Sequence, residues 1–283
     1  MDTRVEVAMS PLTLLRSLVS SPSPSSSPVR LRAHAAGRTT VGRRQNNEDR
    51  LLVREDLGLF AVADGMGGYE GGEVASQMTI DAIEHLYASH QADEEVTWPH
   101  VPDGELSLEG KRAYLGVELA HRAVRARRRG VLAQMGSTVV LFSFVGGRMI
   151  VAHAGDSRAA LVRRGSFHAL TRDDSFLAEL ESRSAAGSPD ERARMAAQFG
   201  HVVTKAIGHG ESLEPTVREL AVEEGDVFLL SSDGLHGVLE PDELAQTLTM
   251  FAPEDACEIL LARALEEGSN DNVTCIVVRL ERT

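Results

Sequence analysis

The chain has 283 residues and a formal net charge of −13, from 42 acidic and 29 basic side chains. That length suits one large domain or two small ones, either with a full core. The acidic balance disfavours nucleic acid or an anionic membrane as main partner and suits an acidic cytoplasmic protein or a set of metal-binding carboxylates. Cys257 and Cys275 sit inside apolar patterns, which predicts reduced, buried thiols rather than a disulfide framework. No apolar run approaches the roughly 18 residues of a membrane span, and residues 11–20 are too short and broken for a secretory core.

In chain order, the Ser/Pro tract at residues 20–29 cannot bury apolar area, so residues 1–30 are expected to be a disordered tail. One domain is expected from 31 to 283. Ala33 to Val41 reads as a strand, followed by a polar turn from Gly42 to Asp49. Leu51 to Val53 and Leu59 to Ala63 read as strands around a charged hairpin. A helix is expected from about Glu73 to His90, with Val74, Met78, Ala82 and Leu86 on its apolar face, and a second from about Leu106 to Arg129, with Leu115, Leu119, Ala120 and Ala123. The latter ends in Arg125, Arg127, Arg128 and Arg129, cations that a helix C-terminus favours in any case.

Strand patterns then dominate: Ser137 to Val145, Arg148 to Ala154, Arg158 to Val162 and Phe167 to Leu170, with hairpin turns at Gly146-Gly147 and Arg164-Gly165. Residues 172–200 are polar and read as a partly helical surface insertion. Strands at Thr216 to Val222 and Asp226 to Ser232, helices at Asp242 to Thr249 and Pro253 to Glu266, and a last strand from Val273 to Leu280 complete the chain. Hairpin-linked strands with helix pairs between them predict an α+β fold, two mostly antiparallel sheets packed together with helices outside.

Five places share one design, an apolar run meeting an acidic residue beside Gly or Asn: Asn47-Glu48-Asp49, Asp64-Gly65, Gly155-Asp156-Ser157, Ser232-Asp233-Gly234 and Asp271-Asn272. Each lies at a strand end, so all can converge on one rim of the sheets. Carboxylates that close repel unless cations screen them, and an all-oxygen donor set selects Mg²⁺ or Mn²⁺. The glycines after Asp64 are a near miss for a dinucleotide fingerprint, because Glu70 stands where the third glycine belongs. Cys257 and Arg263 have the spacing of a thiol phosphatase, but the five residues between them are helical and lack glycine.

The ordered motifs Arg44-Gln45-Asn46-Asn47-Glu48-Asp49, Asp64-Gly65-Met66-Gly67-Gly68, Gly155-Asp156-Ser157-Arg158, Ser232-Asp233-Gly234 and Asp271-Asn272-Val273-Thr274 resemble the metal-dependent (type 2C) serine/threonine protein phosphatases in their compact bacterial form. The resemblance covers about residues 33–280. It implies an α-β-β-α sandwich that hydrolyses phosphoserine and phosphothreonine esters through in-line attack by a water shared between two Mn²⁺ or Mg²⁺ ions. Asp64 would bridge the ions, with the Gly65 carbonyl and Glu48 completing one and Asp233 and Asp271 the other. Asp156, with Asp233, matches a third, weaker site. Asp49 and Asp271-Asn272 would hold metal-bound waters, and Arg44 would grip the phosphate. Ser157 and Arg158 are expected to be structural, and Arg43 a solvated neighbour.

The resemblance also implies a flap from about Thr171 to Gly208, phosphorylated Ser/Thr proteins as substrates, a kinase among them, and a monomeric enzyme. Met66 departs from the eukaryotic pattern, where a His proposed as general acid stands. His153 and His236 are the alternative donors by position, and a metal-bound water is the preferred one. A non-catalytic phosphoprotein-binding relative would be expected to lose Asp64, Asp233 or Asp271, and the sporulation-type regulators typically lack the arginine at position 44.

Overall fold

The computed structural model describes residues 30–67, 71–89, 106–182, 194–195, 198–199 and 202–283. The expected tail at 1–29 and most of the insertion after residue 182 lie outside the described residues. Strands β1 (Leu31–Thr40), β2 (Asp49–Arg54) and β3 (Leu59–Met66) lead into helices α1 (Gly71–Ser89) and α2 (Leu108–Arg127). Five strands follow: β4 (Gly136–Ser137), β5 (Val139–Val145), β6 (Arg148–Ala154), β7 (Arg158–Arg163) and β8 (Ser166–Ala169). Beyond α3 (Phe176–Ser182) come β9 (Thr216–Ala221), β10 (Val227–Ser231), α4 (Asp233–His236), α5 (Pro241–Met250), α6 (Pro253–Glu266) and β11 (Val273–Arg282).

Two sheets result, one in the order β1-β11-β10-β7-β8 and the other β2-β3-β5-β6-β9, with β4 paired to the end of β3. Every strand pair is antiparallel. Helices α1 and α2 cover the second sheet, and α4, α5 and α6 cover the first. The expected α-β-β-α sandwich is what forms.

Strand alternation sorts the side chains into three apolar layers. In β3, Leu59, Ala61 and Ala63 pack beneath α1 and α2, whereas Phe60 and Val62 enter the layer between the sheets. Phe142 and Phe228 meet edge-to-face across that middle layer, their centroids 5.3 Å apart. Asp64 follows Phe60 and Val62 in the same alternation, and Asp49 precedes Leu51 and Val53 on the middle-layer face of β2. Both carboxylates therefore stand at one open end of the inter-sheet core.

Several expectations need correction. The buried stripe of α1 is Ala75, Thr79, Ile80, Ile83, Leu86 and Tyr87, with Val74, Met78 and Ala82 only partly buried beside it. In α2 the core stripe is Ala113, Val117, Ala120 and Val124 rather than Leu115, Leu119 and Ala123. Gly116 of α2 lies against Ile83 and Leu86 of α1, so the helices approach closely, and a reading weighted by side-chain size does not find that contact. The strand expected from Ser137 divides at Thr138, whose backbone N–H turns to the Asp64 carbonyl. Ser232 caps a short helix, α4, that no periodicity of so few residues could announce.

Candidate metal centre and active site

A cavity of about 490 Å³ opens at the end of the middle layer, lined by Arg44, Glu48, Asp64, Gly65, Met66, Gly67, Thr138, Asp156, Thr204, His209, Asp233, Asp271 and Asn272, among others. The sheet register builds its floor. Asp49 lies directly opposite Asp64 in the β2–β3 pair, an arrangement in which like charges repel. Thr138, before β5, holds Asp64 by its main chain: the Asp64 N–H donates to Thr138 Oγ1 at 3.1 Å, and the Thr138 N–H donates to the Asp64 carbonyl at 2.8 Å. Gly65 is buried, and a Cβ there would collide with the Gly72 carbonyl, so only glycine lets α1 begin this close to β3.

Asp233 opens α4, while Asp271 precedes β11. Asn272 ties these to the loop before β2. Its Nδ2 donates to the carbonyls of Val41 and Asn46, both at 2.9 Å, and its Oδ1 accepts the Glu48 N–H at 2.9 Å. Both amide hydrogens and one acceptor position of the oxygen are thus committed to the backbone. Asn272 thereby positions Glu48 and the segment that carries Arg44. Asp49 is fully buried, and its Oδ2 accepts the Ser232 hydroxyl at 2.7 Å.

Burial governs the electrostatics. It pushes Asp64 well above the usual carboxylate range, helped by Asp49, Asp233, Asp156 and Asp271. Asp49 rises to about 6 through burial, against the hydrogen bonds of Thr274 and Ser232. Asp156 also rises to about 6, through burial and then Asp233. Asp233 is raised by burial and Asp271, and Glu48 by burial, opposed by Arg44. Five carboxyls raised together in one place form a site in which negative charge is under-compensated.

Arg44 bears on this directly. Its Nη2 donates to Asp271 Oδ2 at 2.6 Å and its Nε to the Asn270 carbonyl at 3.1 Å. Asp271 Oδ1 accepts the Asn272 N–H, so both of its oxygens have partners. Asp233 Oδ1, by contrast, is buried and accepts a hydrogen bond from no N–H or hydroxyl of the described residues. The donors line one cavity, yet among the described residues no three of them already stand in ligating geometry around one point. Their chemistry nevertheless fits hard divalent cations: oxygens only, raised carboxyls, and one orphaned buried carboxylate oxygen.

The two alternative histidines are not in the cavity. His153 is buried, 3.0 Å from the Arg172 carbonyl, and His236 is half-buried with Nδ1 2.9 Å from Ser231 Oγ. Burial, and then Arg158, lowers His236 to about 3. His209, which carried no sequence signal, lines the cavity instead, with Nε2 buried against Gly136 and without a hydrogen-bond partner among the described residues. Ser157 is buried against Thr138 at 2.6 Å, and Arg158 makes a two-pronged ion pair with Asp173 at 2.8 Å, which are structural roles. Arg43 reaches Asn270 at 3.3 Å. The thiol alternative finds no support: Cys257 is buried under β1, and Arg263 is held by Glu243, Glu266 and Glu267.

A family model for protein phosphatase 2C matches residues 36–270. This chain belongs to that family. It is 33% identical over 243 residues to the serine/threonine protein phosphatase PstP of Mycobacterium tuberculosis, covering 83% of this chain but 42% of PstP, less than half of that protein's length. It is 30% identical over 252 residues to the protein phosphatase PhpP of Streptococcus pneumoniae, covering 86% of this chain and 95% of PhpP. The crystal structure of the PstP catalytic domain in complex with two manganese ions superposes with a TM-score of 0.73 at 31% identity, covering 89% of this chain and 100% of that one. No described helix is long and apolar enough to cross a membrane.

Proposed function

We propose that this type 2C family member is a serine/threonine phosphoprotein phosphatase whose activity requires two Mn²⁺ or Mg²⁺ ions. The single observation that carries the reading is the cavity of raised carboxyls around Asp64, with the orphaned Asp233 oxygen among them. Asp64, Glu48 and the Gly65 carbonyl are the proposed donors for one ion, Asp64, Asp233 and Asp271 for the other, and Asp156 with Asp233 for a weaker third. Bound there, the cations screen the carboxylates, polarise phosphate oxygens and generate a nucleophile from water near neutral pH.

The chain's own residues do the rest. Arg44 stands at the mouth with Nη1 engaged by no described residue, able to hold non-bridging phosphate oxygens and offset charge as it develops. Asn272 fixes the segment that presents Arg44 and Glu48. Asp49, locked by Ser232, keeps an acceptor beside Asp64 for a water in the cavity wall. Met66 faces the cavity and has no proton to give. Burial and then Arg128 lower His209, so its ring is neutral near pH 7, and its buried Nε2 is not placed to act as the acid.

Residues 31–283 are proposed as the catalytic domain, with 172–208 as its flap. The protein acts in the cytoplasm as a monomer, on phosphorylated Ser/Thr proteins that include a kinase. The test is phosphate release from a phosphothreonine peptide with Mn²⁺, Mg²⁺ or EDTA, for wild type and Asp233→Asn. Metal-dependent release that the substitution abolishes supports the reading. Equal release in EDTA, or an active Asp233→Asn protein, refutes it.

A further inference from the structure

The basic end of α2 is not explained by the reaction. Arg122, Arg125, Arg127, Arg128 and Arg129 fall within eight residues, and no Asp or Glu occurs between Glu118 and Asp156, in a chain of net charge −13. The preference of helix ends for cations accounts for one or two such residues, not for five continued beyond the last turn.

Tertiary packing places this segment against the proposed active site. Arg128 binds two carbonyls, Nε to Ala133 at 2.9 Å and Nη1 to Gly208 at 2.6 Å. Gly208 precedes His209, which lines the cavity. Arg125 Nη1 donates to the Glu211 carbonyl at 3.2 Å, binding the same loop. On the other flank, Gly67 has φ +133° and packs directly on Gln134 and Met135, so close that any Cβ would collide with them. Residues 127–135 therefore form a ledge behind the Met66, Gly67 and His209 wall, while Arg44 and Asp271 lie on the loops before β2 and β11.

Arg128 is consumed in building the ledge, but Arg127 and Arg129 are exposed and form no ion pair with any described residue. At the tip, Val131 is 91% exposed, more than any other large apolar side chain of the described residues. Unpaired cations and an apolar tip beside a catalytic cavity make a surface for a peptide.

We propose that the Arg127–Arg129 ledge docks acidic residues that flank the phosphorylated Ser or Thr of a protein substrate, giving the enzyme a preference for phosphosites with Asp or Glu neighbours. This rests on the phosphatase reading above. The occupant is a short acidic segment and not a long polyanion, because the ledge is only a few residues long. Beyond it the acidic chain and the carboxylates of the cavity repel an extended polyphosphate or an anionic bilayer.

The experiment measures kcat/KM, in Mn²⁺ at low salt, for two phosphothreonine peptides that differ only in Glu or Lys neighbours, and for p-nitrophenyl phosphate. Wild type is compared with the double variants Arg127→Glu/Arg129→Glu and Arg127→Gln/Arg129→Gln. The expected result is a preference for the Glu peptide of about tenfold, carried by KM and weakened by salt. The charge-neutral variant should lose it, the charge-reversed one should invert it, and both should turn over p-nitrophenyl phosphate like wild type. An unchanged Glu/Lys ratio in both variants overturns the proposal. So does a ledge that binds RNA or anionic vesicles while leaving the peptide ratio untouched. If no substrate is hydrolysed, the phosphatase reading fails on its own, and fluorescence anisotropy of a labelled Glu peptide still decides the ledge: binding lost in the variants supports it, equal binding overturns it.

Discussion

Replacing Asp49 by Asn should stabilise the metal-free protein. Asp49 is buried opposite Asp64, and its carboxyl rises from 3.8 to about 6. A carboxyl raised on folding binds more protons in the native than in the unfolded state, so native stability falls as pH climbs from about 4 to about 6. At about 1.36 kcal/mol per unit, a rise of about two units costs about 3 kcal/mol at neutral pH. Asp49→Asn removes that cost and weakens the bonds from Ser232 and Thr274, a loss of about 1 kcal/mol. The net gain is about 2 kcal/mol, or about 4–8 °C in Tm for a domain of this size. Thermal unfolding in EDTA from pH 4 to 8 tests this as the difference between variant and wild type. His236, lowered to about 3, favours the native state as pH rises towards 6.5, and it cancels in that difference because both proteins carry it. With saturating Mn²⁺ the advantage should shrink or reverse, since bound cations stabilise the native carboxylates. A variant less stable than wild type in EDTA at pH 7.5, or an advantage that does not shrink towards pH 4, would refute the account.

Two further outcomes follow from buried hydrogen bonds. Asp226→Ala removes a buried carboxylate that pairs with Arg163 at 2.6 and 2.7 Å and accepts the Glu223 N–H; urea unfolding should show a loss of about 3–5 kcal/mol, and a loss below about 1 would contradict the buried pair. Asn272→Ala unties Glu48 from Val41 and Asn46, so Mn²⁺ affinity by calorimetry should fall about 10–100-fold while circular dichroism stays native; unchanged affinity would show that the amide positions nothing.

The layering of the fold was legible because its signals are local. Period-two alternation marks Phe60 and Val62 against Ala61 and Ala63, and Gly146-Gly147 and Arg164-Gly165 mark the hairpins after Val145 and Arg163. Helix faces are less legible, because close contact between α1 and α2 selects small residues such as Gly116 and Ala113, whose own hydrophobicity says little. Asn272 shows the same limit. Its motif gives its neighbourhood but not the three backbone groups, from segments more than 200 residues away in sequence, that occupy its amide.

The sequence by itself determined which residues can do chemistry here: a carboxylate at each of several strand ends, beside Gly or Asn, in an order that identifies the family. Those choices are covalent and local, so they can be read without coordinates. Only the tertiary structure decided that Arg44 meets Asp271, that His209 rather than His153 or His236 lines the cavity, and that Arg125 and Arg128 at the end of α2 bind the loop that carries His209. Each is a contact between segments distant in sequence, set by how sheets and helices pack, and no spacing along the chain encodes it.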